Sequence, residues 1–293
     1  MKNMNIGKKI TIHLDNGTVT GIRHAEMMNW TGQAISDPRN QIKTLKTWDE
    51  SARPGIYFLL GISEETARPA VYIGESENVL NRLFQHDLKS DFWNEVIFFT
   101  NKDKNLTKSH IKYVESRVWE LATAAKRYDV LNNQTLSESV LSRSDKHTME
   151  GFILNMKLFL GVFGHRILEP YSQIVTQESY LVDDAEILEL KSKDLIATAV
   201  ITDEGIVVKS GSDAANLVSE NLSKGYQELK NELIENRVLI RQGKKLAFNQ
   251  DQLFTSPSQA AAVITGYPMN GRIHWKNSKG QTIKEIEESM AIQ

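Results

Sequence analysis

Gly55-Ile56-Tyr57-Phe58-Leu59-Leu60 and Ala70-Val71-Tyr72-Ile73-Gly74 are the two runs on which the fold of this chain turns. Each is short and apolar, and a polar loop, Ser63 to Pro69, separates them. Such a pair predicts an antiparallel hairpin. Arg53-Pro54-Gly55 punctuates the chain just before it. Just after it, Ser76 is placed to cap a helix whose apolar face is Val79, Leu80, Leu83 and Phe84. Glu95 to Thr100 reads as a third strand. Thr107 then opens a long helix to about Tyr128, with Ile111, Val114, Val118, Leu121 and Ala125 as its stripe. Strand, strand, helix, strand, helix predicts a small α/β sandwich.

Working outward, Ile10 to Leu14 alternates like a strand and runs into the turn Asp15-Asn16-Gly17, with Thr18 to Ile22 as its expected return. Arg39 to Trp48 is weakly helical. On the other side, 137–147 is polar and rich in serine and reads as a linker. A helix is expected over Met149 to Phe163, and strands over Glu186–Leu190, Ala197–Thr202 and Ile206–Lys209. A polar helix is expected over Leu222–Glu235. Ser256-Pro257-Ser258 reads as a cap before the alanine-rich turn Gln259–Ile264. The expected fold class is α/β (α+β): an N-terminal β-hairpin module over 1–50, the sheet-and-helix sandwich over 51–136, a linker and helix over 137–185, and a C-terminal mixed α/β domain over 186–293.

Composition narrows the chemistry. Of 293 residues, 40% are hydrophobic and 25% charged, which is ordinary for a globular chain able to bury a core. There is no cysteine, which excludes disulfides, thiolate metal sites and thiol nucleophiles. No apolar run approaches the length of a membrane span. A cytoplasmic protein without a membrane partner is therefore expected. The formal net charge of −2 gives no support to nucleic-acid binding by bulk charge, so any such surface must be a local patch.

The chemistry-bearing residues cluster around the hairpin. Arg82 and His86 lie four apart, so they share one helix face, expected opposite Leu80, Leu83 and Phe84. Glu115 lies beside the buried stripe of the long helix, where an unpaired charge is costly and a bound cation would compensate it. Asn132 and Asn133 follow that helix. Taken singly, the bland readings are a core role for Tyr57 and Tyr72, a solvated helix surface for Arg82 and His86, and a turn for Asn133.

Taken in order, Gly55-Ile56-Tyr57, Tyr72-Ile73-Gly74, Arg82, His86, Glu115 and an asparagine resemble the GIY-YIG nuclease family. Asn105-Leu106-Thr107-Lys108-Ser109-His110 before Tyr113-Val114-Glu115 is similar to a bacterial subgroup of it that carries a C-terminal domain of uncharacterised function. Phe254 to Ala261, Asn270-Gly271-Arg272 and Trp275-Lys276 resemble that appended domain. The resemblance implies a metal-dependent endonuclease, with DNA as the expected nucleic-acid partner. Glu115 would hold Mg²⁺ or Mn²⁺, Arg82 would stabilise the transition state, and Tyr57 or Tyr72 would activate or orient water with His86 nearby. Asn133 would brace the site.

Further candidates are nucleic-acid contacts. Lys108, in the first turn of the Glu115 helix, reads either as a solvated residue or as a phosphate contact. Between 226 and 284, nine Lys or Arg stand against four Asp or Glu. Arg241, Lys244 and Lys245 cluster there, and Arg272, Trp275 and Lys276 interleave cation and aromatic as strand-binding surfaces do. A small-core role for Trp275 is the alternative. The competing functions are a non-catalytic nucleic-acid-binding protein and an interaction component of a repair, restriction or phage-defence system.

Overall fold

A computed structural model describes residues 7–132, 141–170 and 186–290. The chain divides into two units, residues 1–170 and 171–293. Both mix helices and sheets.

The first unit is built on one seven-stranded sheet. Its strands are β1 (Ile10–Leu14), β2 (Arg23–Met27), β3 (Gly32–Pro38), β4 (Gly55–Ile62), β5 (Pro69–Ser76), β6 (Trp93–Asn101) and β7 (Asp129–Val130), in the order β1-β2-β3-β6-β4-β5-β7. All pairings are antiparallel except β5 with β7. β4 is buried on both faces because successive side chains alternate across the sheet. Ile56, Phe58 and Leu60 pack under α2 (Lys108–Ala125) and α3 (Arg143–Val162), while Tyr57 and Leu59 pack under the 3₁₀ segment Arg39–Thr47 and helix α1 (Val79–Asp87). Gly55 is required by closeness: a Cβ there would meet the Phe99 carbonyl oxygen at 2.4 Å.

Several expectations move. The leading residues do not stand apart as a module. β3 pairs with β6 along its length, so β1–β3 extend the same sheet as the hairpin. β3 escapes a reading by hydrophobic pattern because three of its buried residues, Gln33, Ser36 and Asp37, are polar. The return strand of the first hairpin is Arg23–Met27 and not Thr18–Ile22. The Asn16 side chain accepts from the Thr18 N–H and hydroxyl, which curls that segment into a loop closed by the Asp15 N–H on the Ile22 carbonyl. α3 begins at Arg143, six residues before the expected Met149, because Ser142 caps it by accepting from the Asp145 N–H.

The second unit holds a four-stranded sheet, β14-β10-β9-β8, and a three-stranded one, β11-β13-β12. The strands are β8 (Ile187–Ser192), β9 (Leu195–Thr202), β10 (Gly205–Val208), β11 (Asp213–Ala215), β12 (Leu239–Gln242), β13 (Lys245–Phe248) and β14 (Gln252–Phe254). Its helices are α4 (Lys224–Glu235), α5 (Pro257–Thr265), α6 (Gly271–His274) and α7 (Ile283–Met290). Ser256 caps α5 through the Gln259 N–H, with Pro257 in the first turn, where its missing N–H costs no hydrogen bond. The small side chains Ala260 and Ala261 are fully buried in the core beside Phe248, Phe254 and Trp275. No described helix is long and apolar enough to cross a membrane.

Candidate functional site

The site is assembled on β4, β5, α1 and α2. In the β4–β5 register Tyr57 lies directly across from Gly74, and Leu59 across from Tyr72. Tyr57 and Tyr72 therefore point from the same face, and their rings stack at 6.3 Å between centroids with planes 14° apart. The helix above them starts at Asn78, not at Ser76: the Asn78 side chain accepts from the Asn81 N–H, and Ser76 instead bonds Asn78 through its hydroxyl. Val79 and Leu83 anchor α1 in the core.

That anchoring sets the direction of Arg82 and His86. They do not face away from the apolar side. They flank the buried Val79 and Leu83 and reach the tyrosines beneath. Arg82 Nε donates to the Tyr57 hydroxyl oxygen at 3.3 Å, and that hydroxyl bonds His86 Nε2 at 3.0 Å. The phenol accepts from the guanidinium, and with the imidazole proton on Nδ1 it donates its own to His86 Nε2. The His86 ring also packs on Tyr72, centroids 4.7 Å apart. Gln85 accepts from Arg82 Nη1 and fixes the other arm of the fork.

The electrostatics follow from burial. Tyr57 has no exposed surface, and desolvation drives its hydroxyl well above the usual phenol range despite the opposing Arg82 bond and charge. Burial, with the charges of Arg82 and Lys89, lowers His86 to about 4, so the ring is neutral at pH 7. The Tyr57 hydrogen bond and, against it, desolvation act on Arg82, with a net upward shift.

Glu115 lies on α2, on the opposite layer, and meets the same end of β5. Its Oε1 accepts the Glu75 backbone N–H at 3.2 Å, and its charge is felt at Tyr57. Glu75 itself is half-buried, and desolvation raises its carboxyl. The structure thus brings together Tyr57, Tyr72, Arg82, His86 and Glu115. Asn133 lies outside the described residues, as does the first part of the expected linker. Its neighbour Asn132 has a role that motif order did not reveal: its amide donates to the Ile73 carbonyl at 2.9 Å and accepts the Ile73 N–H at 3.1 Å. It thereby acts as one further rung beside β5 and braces Tyr72-Ile73-Gly74. Trp119 adds a bond to the Asn132 carbonyl at 2.9 Å.

The nucleic-acid candidates divide. Lys108 is exposed but tied to Glu77 at 2.7 Å. Arg272 pairs with Glu287, and Lys276 is exposed where its backbone bridges to Glu189. Trp275 is a correction: it is 0% exposed, in the core of the second unit, with Nε1 donating to the Pro257 carbonyl at 3.2 Å. A base cannot stack on a ring that has no free face. Its alternation with Arg272, His274 and Lys276 arises because a short helix and the strand-like segment after it turn one side inward and the rest out. Arg241, Lys244 and Lys245 lie on and beside the β12–β13 turn.

Residues 188–287 match a family model described as Domain of unknown function (DUF4357). No curated protein and no solved structure matches the chain.

Proposed function

We propose that the first unit hydrolyses nucleic-acid phosphodiesters, with DNA as substrate, by the tyrosine, arginine and glutamate chemistry of a GIY-YIG nuclease. One observation carries this reading: a guanidinium, a neutral imidazole and two stacked phenols converge at one end of a hairpin, where the backbone of Glu75 binds a carboxylate from a separate helix. A surface helix has no structural need to aim Arg82 and His86 together at a buried hydroxyl.

Glu115 would hold a divalent ion. A single carboxylate suits Mg²⁺ or Mn²⁺, since Mg²⁺ keeps several waters and takes few protein ligands. Among the described residues no three His, Asp or Glu gather as a closed metal cage requires. The bound ion supplies Lewis-acid polarisation of the phosphoryl group and charge neutralisation at the leaving oxygen.

The protein's own groups divide the remaining work. The phosphate must be neutralised and a water oriented. Arg82 carries a planar, permanently charged fork that donates to developing charge on the phosphoryl oxygens. Its direction is set by Tyr57, buried and bonded from both sides. Tyr72 is only half-buried, so it is the phenol open to water, with the His86 ring packed on it. Tyr72 therefore orients the attacking water, and the neutral imidazole of His86, bonded to Tyr57 and packed on Tyr72, holds the two phenols in place.

The test is cleavage of labelled single-stranded, duplex and branched DNA and RNA by the purified chain, with Mg²⁺, Mn²⁺ or EDTA. Metal-dependent cutting that Glu115→Gln abolishes, with folding unchanged, is the expected result. Nucleic-acid binding without cutting under every metal would replace this reading with the non-catalytic one.

A further inference from the structure

We infer that the second unit binds single-stranded nucleic acid in a cleft between its two sheets, at the turns β8–β9 and β12–β13. The cleft measures about 400 Å³, within the range of ligand pockets. Both turns are two-residue hairpin tips, Lys193-Asp194 and Gly243-Lys244. Between them lies the segment around Leu217, and Tyr267 lies on the wall.

The lysines of this cleft do different jobs. Lys245 is structural: its ammonium bonds the Asp194 carbonyl and pairs with Asp213 at 3.2 Å, so it ties one turn to the other sheet. That leaves Lys193 and Lys244 exposed at the tips, with no ion pair among the described residues. Lys193 also holds a φ of +54°, in the left-handed region where hairpin tips favour glycine or asparagine. A lysine there is a poor choice for the backbone, as it is at Lys126, which holds a φ of +56°. Arg241 is exposed beside them, within reach of Asn216.

The walls supply the second half of a nucleotide's chemistry. Tyr267 is half-buried, its hydroxyl pinned to Ser192 Oγ at 2.8 Å, which holds the ring in place. Leu217 is 83% exposed at the rim. Two lysines at the tips, with the Asp194 carboxylate drawn towards Lys245 at 3.7 Å, and an aromatic ring recessed behind a leucine at the rim match a sugar-phosphate backbone with an unstacked base turned inward. Bases stacked in a duplex could not reach the Tyr267 ring, so the occupant is a single strand. The choice of nucleic acid as the ligand class rests on the nuclease reading of the first unit; the site itself lies entirely in the second.

The experiment is fluorescence anisotropy of the full chain with labelled oligo(dT), oligo(rU) and a duplex of equal length, in EDTA so that no cleavage intervenes. Lys193→Asn with Lys244→Gln should weaken single-strand binding and lower the slope of log affinity against log salt by roughly 1.4, about 0.7 per cation lost. Lys193→Asn alone should leave Tm equal or higher, because it relieves the backbone while removing the charge. Tyr267→Leu, which keeps an apolar side chain but removes the ring, should weaken binding about fivefold or more with little change in that slope. The inference is overturned by absence of binding to any probe, by variants that bind like wild type, or by a duplex bound as tightly as the single strands. Cleavage measured separately on the same variants distinguishes the two readings. Loss of binding with residual Mg²⁺-dependent cutting supports the cleft, whereas absence of cutting with intact, variant-sensitive binding removes only the nuclease reading.

Discussion

The Tyr57 hydroxyl occupies the space that a side chain at Gly74 would need: a Cβ built on Gly74 would meet the hydroxyl oxygen at 2.2 Å and the ring carbon that carries it at 2.4 Å. The two residues face each other across the β4–β5 ladder. Gly74 is thus part of the site, because its bare backbone lets the phenol lie flat over β5 and reach Arg82 and His86. Gly74→Ala must push the ring away or deform the strand. An overpacked site of this kind costs about 1–3 kcal/mol in stability. The expected outcome is a lowered Tm together with loss of cleavage. A variant that melts and cuts like wild type would show that the ring moves freely and that its bonds to Arg82 and His86 are incidental.

Arg82 and the two phenols make a graded set. Arg82→Lys keeps a charge but loses the planar fork, so it cannot hold Tyr57 and Gln85 and still meet a phosphate. The expected loss is about 2–4 kcal/mol of transition-state stabilisation, the size of one lost oxyanion donor. Tyr72→Phe should lower kcat more than Tyr57→Phe, because only Tyr72 is open to water. Single-turnover rates on a common substrate decide it. The reverse order would return the water to Tyr57.

Much of this site is legible from spacing. Arg82 and His86 are paired by the helical repeat, and the two tyrosines by strand alternation, so local periodicity alone brings them onto common faces. Their direction was not legible, because Leu80 and Phe84 are only partly buried and the apolar row that sets the helix is Val79 with Leu83. The choice between Asn132 and Asn133 was open for a related reason: an asparagine that mimics a strand partner looks the same in sequence as one that ends a turn. β3 was lost because its buried polar residues hide its pattern. The hairpin β12–β13 is short, and only Gly243, at φ +64°, marks its turn. Trp275 shows the converse error, where an alternation of cations with an aromatic came from one inward-facing residue on a short helical turn.

His86 gives a prediction with a definite sign. Burial, then Arg82 and Lys89, lowers its folded pKa from the ordinary 6.5 to about 4. Between those values the unfolded chain binds the proton and the folded chain does not. Stability from this group is therefore complete above about 6.5 and is lost as pH falls towards 4. Ring ¹⁵N shifts should report a neutral His86 at pH 5.5, and His86→Gln should remove part of the acid sensitivity. The acid limb of the cleavage profile should likewise lie below pH 5. A ring that titrates near 6.5 would mean that His86 is not held buried beside Arg82 in solution.

Asp37 carries the opposite sign. Its side chain has no exposed surface, lies across from Val96 on β6, and neither carboxyl oxygen has a hydrogen-bond partner. An ionised carboxylate in that setting is strongly disfavoured, and burial raises its pKa from 3.8 to about 7. Here the folded chain holds the proton that the unfolded chain releases. The group costs nothing below the unfolded value of 3.8, and its penalty grows as pH rises, reaching roughly 4 kcal/mol once pH passes 7. Asp37→Asn removes the ionisation and keeps the shape. Subtracting the variant's stability curve from that of wild type cancels His86 and every other shared group, leaving only the Asp37 contribution. Urea melts between pH 4 and 8 should show wild type losing stability relative to Asp37→Asn across that range and levelling off above about 7. A flat difference would mean that the carboxyl is hydrogen-bonded in solution, through a buried water for instance, and that β3 carries no such penalty.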